Sequence, residues 1–121
     1  MIANTPKPPY YAVIFTNILS DDTAGYEEVA NRMVELAEQQ PGYLGMESVR
    51  DGLGIMVSYW QSLEAIKAWK QNVEHLNAQQ LGKDKWYSAF TTRIAKVVII
   101  RHVRTHHTVF DLIITSAYLK I

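Results

Sequence analysis

The histidines are the side chains of this sequence best suited to metal binding. Three of the four are His102, His106 and His107, and histidines four residues apart on a helix can chelate zinc. The residues around them are rich in valine, isoleucine and threonine, which favour a strand or a loop and would separate the imidazoles. Asp111 is the only carboxylate in this region. We therefore predict no metal site and no cofactor.

Three other side chains are candidates for acid–base and oxyanion chemistry. His75 can act as a general base because imidazole titrates near neutral pH, although beside Glu74 on a helical turn it can equally be a solvated residue. Asn17 lies in an apolar strand, where a buried amide needs a partner, either a ligand or a neighbouring backbone group. The alternative is that it faces water at the end of the strand. Arg93 can hold an oxyanion or form a surface ion pair. We carry Asn17 and His75 forward as catalytic candidates and Arg93 as a substrate-binding candidate.

Two pairs of adjacent aromatic residues can line a pocket for a planar ligand. They are Tyr59-Trp60 and Trp86-Tyr87, which combine large rings with polar ring groups. Because side chains alternate along a strand, only one member of each pair can face a pocket on the helix side of a sheet. The other member lies on the opposite face.

The composition excludes several classes of protein. Twelve basic and twelve acidic residues cancel, which leaves no broad field to attract nucleic acid or an anionic membrane. The chain has no cysteine, which excludes disulfides and thiolate catalysis and is compatible with the cytoplasm. The longest aliphatic run, Val97 to Ile100, is far shorter than the ~18–20 residues that span a bilayer. We expect a cytoplasmic protein without nucleic-acid or membrane partners.

The chain divides into one domain with an extension at each end. Three prolines within residues 1–9 predict a flexible arm. The domain itself occupies residues 10–97. Residues 98–121 form a C-terminal extension, in which the β-prone run Thr108 to Ile114 predicts an extra strand or an edge exchanged between subunits.

The hydrophobic pattern of residues 10–97 predicts an α+β domain. Runs of β-branched and aromatic residues indicate strands, and apolar residues every three or four positions indicate helices. Residues 20–23 offer caps for the first helix, and Ser62 offers one for the second. The predicted elements are a strand at 10–18, a helix from Tyr26 to Ala37, strands at 43–50 and 53–60 around an Asp51-Gly52 turn, a helix from Leu63 to Trp69, a further helical segment at 73–81 and a strand at 86–97. This β-α-β-β-α-β order is ferredoxin-like, an antiparallel four-stranded sheet with helices on one face.

Both faces of the predicted sheet are apolar, although two helices can cover only one of them. Tyr11 and Val13 point to one face, and Ala12 and Ile14 point to the other. The uncovered face would expose roughly several hundred Å², near the upper limit for a soluble monomer. We therefore predict a homodimer through this open face. The alternative is that the C-terminal tail folds across it.

Segments spread over residues 10–97 resemble the antibiotic biosynthesis monooxygenase domain family. They are Val13-Ile14-Phe15-Thr16, Gln40-Pro41-Gly42-Tyr43-Leu44-Gly45, Val57-Ser58-Tyr59-Trp60-Gln61-Ser62, Glu64-Ala65-Ile66-Lys67-Ala68-Trp69, Glu74-His75-Leu76 and Trp86-Tyr87. The resemblance implies a dimeric α+β barrel in which two sheets pack face to face. Family members include cofactor-independent oxygenases of phenols or quinols, haem-degrading proteins and proteins of unknown activity, so the site must decide the function.

The resemblance to the haem-degrading branch concerns three positions. Trp69 lies where that branch has a pocket tryptophan, in a frame shared with Ser62 and Ala65, although it can equally be a core side chain. Asn17 lies where the branch has an asparagine that donates to a bound ligand. Gln79 replaces the axial histidine, and an amide cannot serve as a useful iron ligand in its place. Haem degradation is therefore the less favoured activity.

Two functions from different classes follow. The first is a cofactor-independent monooxygenase that oxidises a small phenol or quinol-like aromatic with O2, which needs an oxyanion donor, a base and a dry aromatic pocket. Asn17 would be the donor and His75 the base. The substrate-binding candidates are Trp69, Tyr59, Trp60, Trp86 and Arg93. The second is a non-catalytic dimeric ligand-binding or stress-related protein that uses the same pocket.

Overall fold

Four antiparallel strands form one sheet in the order β2-β3-β1-β4. The computed structural model describes residues 1–79 and 86–103, and of residues 75–79 it describes the backbone. The elements are β1 (Tyr10–Leu19), α1 (Tyr26–Glu38), β2 (Tyr43–Asp51), β3 (Leu53–Trp60), α2 (Leu63–Gln79) and β4 (Tyr87–Val97). The predicted ferredoxin-like fold is confirmed. The predicted helix end near Gly82 and the tail strand at Thr108–Ile114 lie outside the described residues.

The starts of the two helices test the predicted caps. The Ser62 hydroxyl accepts a hydrogen bond from the amide of Ala65 at 3.1 Å, which confirms the predicted cap of α2. The predicted caps of α1 at residues 20–23 are wrong, because its N-cap is Gly25 in a left-handed conformation with no side-chain cap. Asp22, the second of two aspartates in that loop, instead accepts a hydrogen bond from the amide of Ala24 at 3.3 Å. Its carboxylate therefore stabilises the turn that precedes the helix.

The helix α2 is one continuous element, which corrects the two segments predicted from the sequence. It extends from Leu63 to Gln79, and no glycine or proline interrupts this range. The amphipathic pattern weakens along the helix, and the sequence alone suggested a break there. Without a residue that disrupts the backbone ladder, the helix continues.

The core lies between the two helices and one face of the sheet. Trp60 is completely buried and packs with Ala37 of α1 and Ile66 of α2. Its indole nitrogen donates to the Ser58 hydroxyl at 2.9 Å, which satisfies the polar end of a large buried ring. The Trp69 ring stacks on the Trp60 ring, with centroids 5.9 Å apart and planes at 23°. Trp60 therefore joins both helices to the sheet.

The strand register confirms the predicted alternation of side chains. Tyr11 pairs with Trp60 across β1 and β3, and both belong to the core beneath the helices. Ala12 pairs with Tyr59, so these two residues lie on the opposite, open face of the sheet. The same parity assigns every residue of β1 and β3 to one face or the other.

One end of the open face contacts the chain's own N-terminal arm, residues 1–9. The amide of Ala3 donates to Glu47 Oε2 at 2.9 Å, and the Tyr59 hydroxyl donates to Glu47 Oε1 at 2.5 Å. The hydroxyls of Thr5 and Tyr10 are 2.8 Å apart, and Tyr10 is buried. The arm therefore covers part of the face for which the sequence indicated only a second copy or the C-terminal tail.

We expect docking of this arm to weaken in acid, because it depends on the Glu47 carboxylate. The hydrogen bonds from Tyr59 and from the Ala3 amide lower the pKa of Glu47 below its ordinary value of 4.5. A carboxylate with a lowered pKa contributes stability that is present above its unfolded-state pKa and is lost as the pH falls through the folded-state value. Protection of the Ala3 amide from hydrogen exchange, corrected for intrinsic rates, should therefore decrease between pH 5 and pH 3.

The Glu47→Gln variant should show reduced Ala3 protection already at pH 7, since it lacks the charge and one acceptor oxygen. Glu35→Gln is the matched control, because Glu35 is an exposed carboxylate on α1 that forms an ion pair with Arg32, at 3.7 Å. Equal protection at pH 3 and pH 7 in the unmodified protein would contradict the role of Glu47.

Candidate functional site

A cavity of about 300 Å³ lies between α1 and the helix-side face of the sheet, near the turn that joins β2 to β3. This volume is at the small end of the ~300–1,000 Å³ typical of small-molecule sites. Its lining combines apolar residues with hydrogen-bond donors. The residues on which its chemistry depends are Phe15, Asn17, Tyr26, Ser48, Arg50 and Met56.

Asn17 supplies a buried amide at the inner end of the cavity. The residue is 4% exposed, and its Oδ1 accepts a hydrogen bond from Arg50 Nη2 at 2.5 Å. Within the described residues, every fully buried side-chain nitrogen or oxygen has a hydrogen-bond partner. Asn17 Nδ2 has no partner among these residues, since the contact with Arg50 uses Oδ1, so Nδ2 is not fully buried. The amide nitrogen therefore reaches the cavity surface, where it can donate to a ligand.

Arg50 is held beside Asn17 by the geometry of the β2–β3 hairpin. Gly52 forms the turn with a φ of 75°, and the resulting register pairs Arg50 with Gly54. The guanidinium lies directly over Gly54, where a Cβ would overlap it. Arg50 Nη2 also lies 3.4 Å from the Tyr26 hydroxyl. Gly54 therefore provides the space that lets the guanidinium approach Asn17.

Sequence reasoning missed Arg50, although two signals could have found it. A glycine inside a strand often marks a close approach to the backbone, and Gly54 is such a residue. The Asp51-Gly52 turn also fixes which residue of β2 lies opposite it. Together these features place a long side chain from residue 50 over the Gly54 backbone.

An aromatic cluster lies beside the cavity and joins β1, α1 and β4. The ring of Phe15 is 5.3 Å from that of Tyr87, and the ring of Tyr26 is 5.8 Å from it. Burial, and then the neighbouring Tyr26 hydroxyl, raise the pKa of Tyr87, whereas the charge of Arg50 acts in the opposite direction. The Tyr87 phenol therefore stays protonated at neutral pH and is a hydrogen-bond donor rather than a base.

Trp86 packs against this aromatic cluster and does not line the cavity. It is buried, and its indole nitrogen donates to the Ala24 carbonyl at 2.8 Å. Its ring contacts Tyr26 edge to face, with centroids 5.6 Å apart. Trp86 therefore fixes the start of α1, and through it Tyr26, against the beginning of β4.

The cavity and the tryptophan core lie at opposite ends of β3. Asn17 pairs with Gly54, whereas Tyr11 pairs with Trp60, and six residues of strand separate these two positions by about 20 Å. Trp60 and Trp69 stack on each other in the core. They do not line the cavity that contains Asn17.

The remaining sequence candidates also lie away from the cavity or outside the described side chains. Tyr59 is on the open face, and Arg93 pairs with Ile14, which places it on that face as well. His75 belongs to α2, but its side chain lies outside the described part of the structure, as does that of Gln79. Of the predicted site residues whose side chains the structure describes, Asn17 alone lines the cavity.

Residues 1–79 and 86–103 contain no cluster of three or more histidine, cysteine, aspartate or glutamate residues suited to a metal ion. His106, His107 and Asp111 lie outside the described residues. None of the described helices has both the length and the hydropathy needed to cross a bilayer.

The fold is similar to those of solved proteins at low sequence identity. PA3566 from Pseudomonas aeruginosa superposes with a TM-score of 0.60 and 17% identity, covering 79% of this chain and 99% of that one. SnoaB, a cofactor-independent oxygenase from Streptomyces nogalater, gives a TM-score of 0.57 and 12% identity over 81% of this chain and 100% of its own. At these identities the similarity concerns the fold alone.

Sequence comparison identifies the family. The uncharacterized protein YqjZ of Bacillus subtilis (strain 168) is 52% identical over 98 residues, which cover 79% of this chain and 86% of that protein. The family model for antibiotic biosynthesis monooxygenase matches residues 9–81. This match includes β1, α1, β2, β3 and α2, and therefore both strands that carry Asn17 and Arg50. The chain belongs to the antibiotic biosynthesis monooxygenase family.

Proposed function

We propose that this protein is a cofactor-independent monooxygenase that oxidises a small phenol or quinol with O2. The observation that carries the proposal is the buried amide of Asn17, whose nitrogen reaches a cavity bordered by aromatic rings. Family membership supports the reaction class, and SnoaB, similar in fold, is described as a cofactor-independent oxygenase. A hydrogen-bond donor at the surface of an aromatic-lined cavity is one of the elements that such a reaction requires.

The cavity residues favour the anionic form of a bound phenol. Asn17 Nδ2 can donate to the phenolate oxygen, and the guanidinium of Arg50 lowers the energy of a negative charge nearby. A phenolate is electron-rich enough to reduce O2. For a phenol with a free para carbon, or a hydroquinone with a free carbon beside a hydroxyl, one oxygen atom enters the ring at that carbon and the other leaves as water. The product is a quinone from the phenol and a hydroxyquinone from the hydroquinone. The phenol supplies all four electrons, so the reaction needs no other reductant.

The base that removes the phenol proton is the remaining element. None of the cavity residues that the structure describes is a carboxylate or an imidazole. We propose His75 for this role, since it is the one histidine within residues 10–97 and imidazole accepts protons near neutral pH. With the phenol pKa lowered by Arg50 and Asn17, a base of ordinary strength is sufficient.

The function is tested by oxygen consumption with a panel of phenols and hydroquinones in metal-free buffer. With 18O2, we expect one labelled oxygen atom in the product, the other in water, and one O2 consumed per substrate. Added catalase should return no oxygen. Hydrogen peroxide as the sole reduced product, or rates equal to those without protein across the panel, would reject the monooxygenase.

A second candidate function is ligand binding without turnover. The observation that favours it is the same lack of a carboxylate or imidazole among the described cavity residues. Mass spectrometry of gently purified protein distinguishes the two functions. A ligand retained in stoichiometric amount, together with no oxygen consumption, supports binding alone.

We also propose that the protein forms a homodimer through the open sheet face. The end of this face that the arm does not cover exposes apolar side chains, with Val49 65% exposed and Ile18 and Leu53 nearly half exposed. These residues lie on adjacent strands β2, β3 and β1. Burial of such a patch against a second copy contributes ~25 cal/mol per Å² before the costs of association.

Sedimentation at micromolar concentration should therefore show particles of twice the 13.8 kDa chain mass. Leu53→Lys should shift the population toward monomer, because it places a charge within the apolar interface. Leu63→Lys is the matched control, since Leu63 is similarly exposed but lies at the start of α2. Particles of 13.8 kDa alone for the unmodified protein would exclude the dimer.

A further inference from the structure

We propose that Arg50 makes this cavity selective for an anionic aromatic ligand, one that carries a carboxylate on its phenolic ring. The inference names the substrate class of the proposed monooxygenase and in that respect rests on it. Its binding component depends only on the geometry around Arg50 and can be measured without turnover.

The charge of the cavity is unbalanced. Arg50 is its only charged lining residue among those described, and the ion pairs found in that part of the chain are Arg32–Glu35 and Lys70–Glu74. The partner of Arg50 is instead the neutral carbonyl oxygen of Asn17. An amide positions the guanidinium without neutralising it, so a positive charge remains at the cavity for a ligand.

The guanidinium also keeps free donors. Its Nη2 is directed at Asn17 and Tyr26, whereas Nη1 and Nε donate to no residue that the structure describes. Nη1 and Nε do not share an edge of the guanidinium, so each of them can donate a single charge-assisted hydrogen bond to a ligand carboxylate. Since contact with Gly54 limits how far this group can move inward, both donors are available to a ligand without a large loss of side-chain freedom.

Asn17 couples the two halves of the proposed ligand. Because its Oδ1 is held by Arg50, its Nδ2 is turned toward the cavity. A ligand carboxylate on Arg50 therefore places the neighbouring ring beside the amide that would receive the phenolate. Phe15 and Met56 provide apolar contacts for the ring. A small hydroxybenzoate matches this combination of one positive group, one amide donor and an apolar wall.

The test uses 2,5-dihydroxybenzoate and its neutral analogue 2,5-dihydroxybenzamide, which have the same ring and hydroxyls. Affinities are measured by calorimetry under anaerobic conditions, so that no oxidation occurs. We expect the benzoate to bind at least tenfold more tightly than the benzamide, with the difference decreasing as salt is raised. Equal affinities for the two compounds would overturn the proposal.

Variants separate the charge of Arg50 from its shape. Arg50→Gln should remove the preference for the benzoate, whereas Arg50→Lys should retain part of it, since a lysine keeps the charge but not the planar fork. Arg32→Gln is the matched control, because Arg32 is an exposed arginine on α1 that pairs with Glu35. This variant should prefer the benzoate over the benzamide as strongly as the unmodified protein does. An unchanged preference in Arg50→Gln, with circular dichroism showing a folded protein, would also overturn the proposal.

Failure of the anionic-ligand proposal can be distinguished from failure of the monooxygenase proposal. A benzoate preference without oxygen consumption upholds the anionic ligand and rejects the oxygenase. Oxidation of neutral hydroquinones with no preference between the two benzoic compounds does the reverse.

Discussion

The Asn17→Ala variant should oxidise phenols about 100- to 1,000-fold more slowly than the unmodified protein, the range found when one oxyanion donor is removed. The physical reason is that Asn17 is almost completely buried but lines the cavity, where its amide nitrogen can donate to the substrate oxygen. Loss of a hydrogen bond that strengthens as the phenolate forms lowers kcat and kcat/KM together. Steady-state oxygen uptake with a hydroquinone substrate provides both parameters.

Two further variants distinguish catalysis from general damage. Asn17→Asp keeps the shape and the contact with Arg50 but lacks the donor, so we expect it to be as inactive as Asn17→Ala. Asn72→Ala removes an exposed amide of α2 that bonds Gln40 at 2.9 Å, and its activity should stay within twofold. Full activity in Asn17→Ala would eliminate this cavity as the site of the reaction.

The fold could be predicted because its signals are local. Alternation in β1, the three- and four-residue spacing of α1 and the Asp51-Gly52 turn each reflect backbone geometry over a few residues. The prediction of the α1 cap was wrong because it considered residue types and not the backbone conformation of the loop. Residues 20–23 contain several good capping side chains, but Gly25 ends the loop with a φ of 81°, and the side chains of the loop serve its own turns.

The site could be predicted only in part, because it depends on contacts between distant residues. Asn17 was found since a polar residue in an apolar strand is conspicuous. Arg50 is 33 residues away along the chain. The nearby signals, Gly54 and the Asp51-Gly52 turn, indicate a side chain close to the backbone but not its contact with Asn17. Trp69 shows the opposite problem, because a tryptophan in a family frame has the same appearance in the sequence whether it lines a pocket or packs in a core.

The N-terminal arm illustrates a third limit of sequence reasoning. Its prolines predict a flexible arm, and nothing in their pattern indicates a contact with the sheet. The contact of Ala3 with Glu47 depends on a single backbone amide, a group that every residue but proline possesses. The residue type at position 3 therefore contains no information about this contact.

Trp60 should have the largest effect on stability of any residue in the chain that the structure describes. It is the largest fully buried side chain there, and replacing such a residue by alanine costs about 3–5 kcal/mol of unfolding free energy. A domain of this size is stable by only ~5–15 kcal/mol, so Trp60→Ala can fail to accumulate. Trp60→Phe is the variant that keeps an aromatic ring in the core, and urea denaturation should show a smaller loss.

The stacked pair gives a sharper measurement than either residue alone. Trp60 and Trp69 lie 5.9 Å apart, and aromatic pairs in contact couple by about 0.5–1.5 kcal/mol in double-mutant cycles. We expect Trp60→Leu and Trp69→Leu, which remove the two rings, to show this coupling in unfolding free energy. Trp60→Leu and Asn17→Ala should instead be additive, because about 20 Å of strand separates the two sites. A coupling as large between Trp60 and Asn17 as between the two tryptophans would mean that core and cavity form one unit, and Trp69 would then regain the role in the pocket that the family frame indicates.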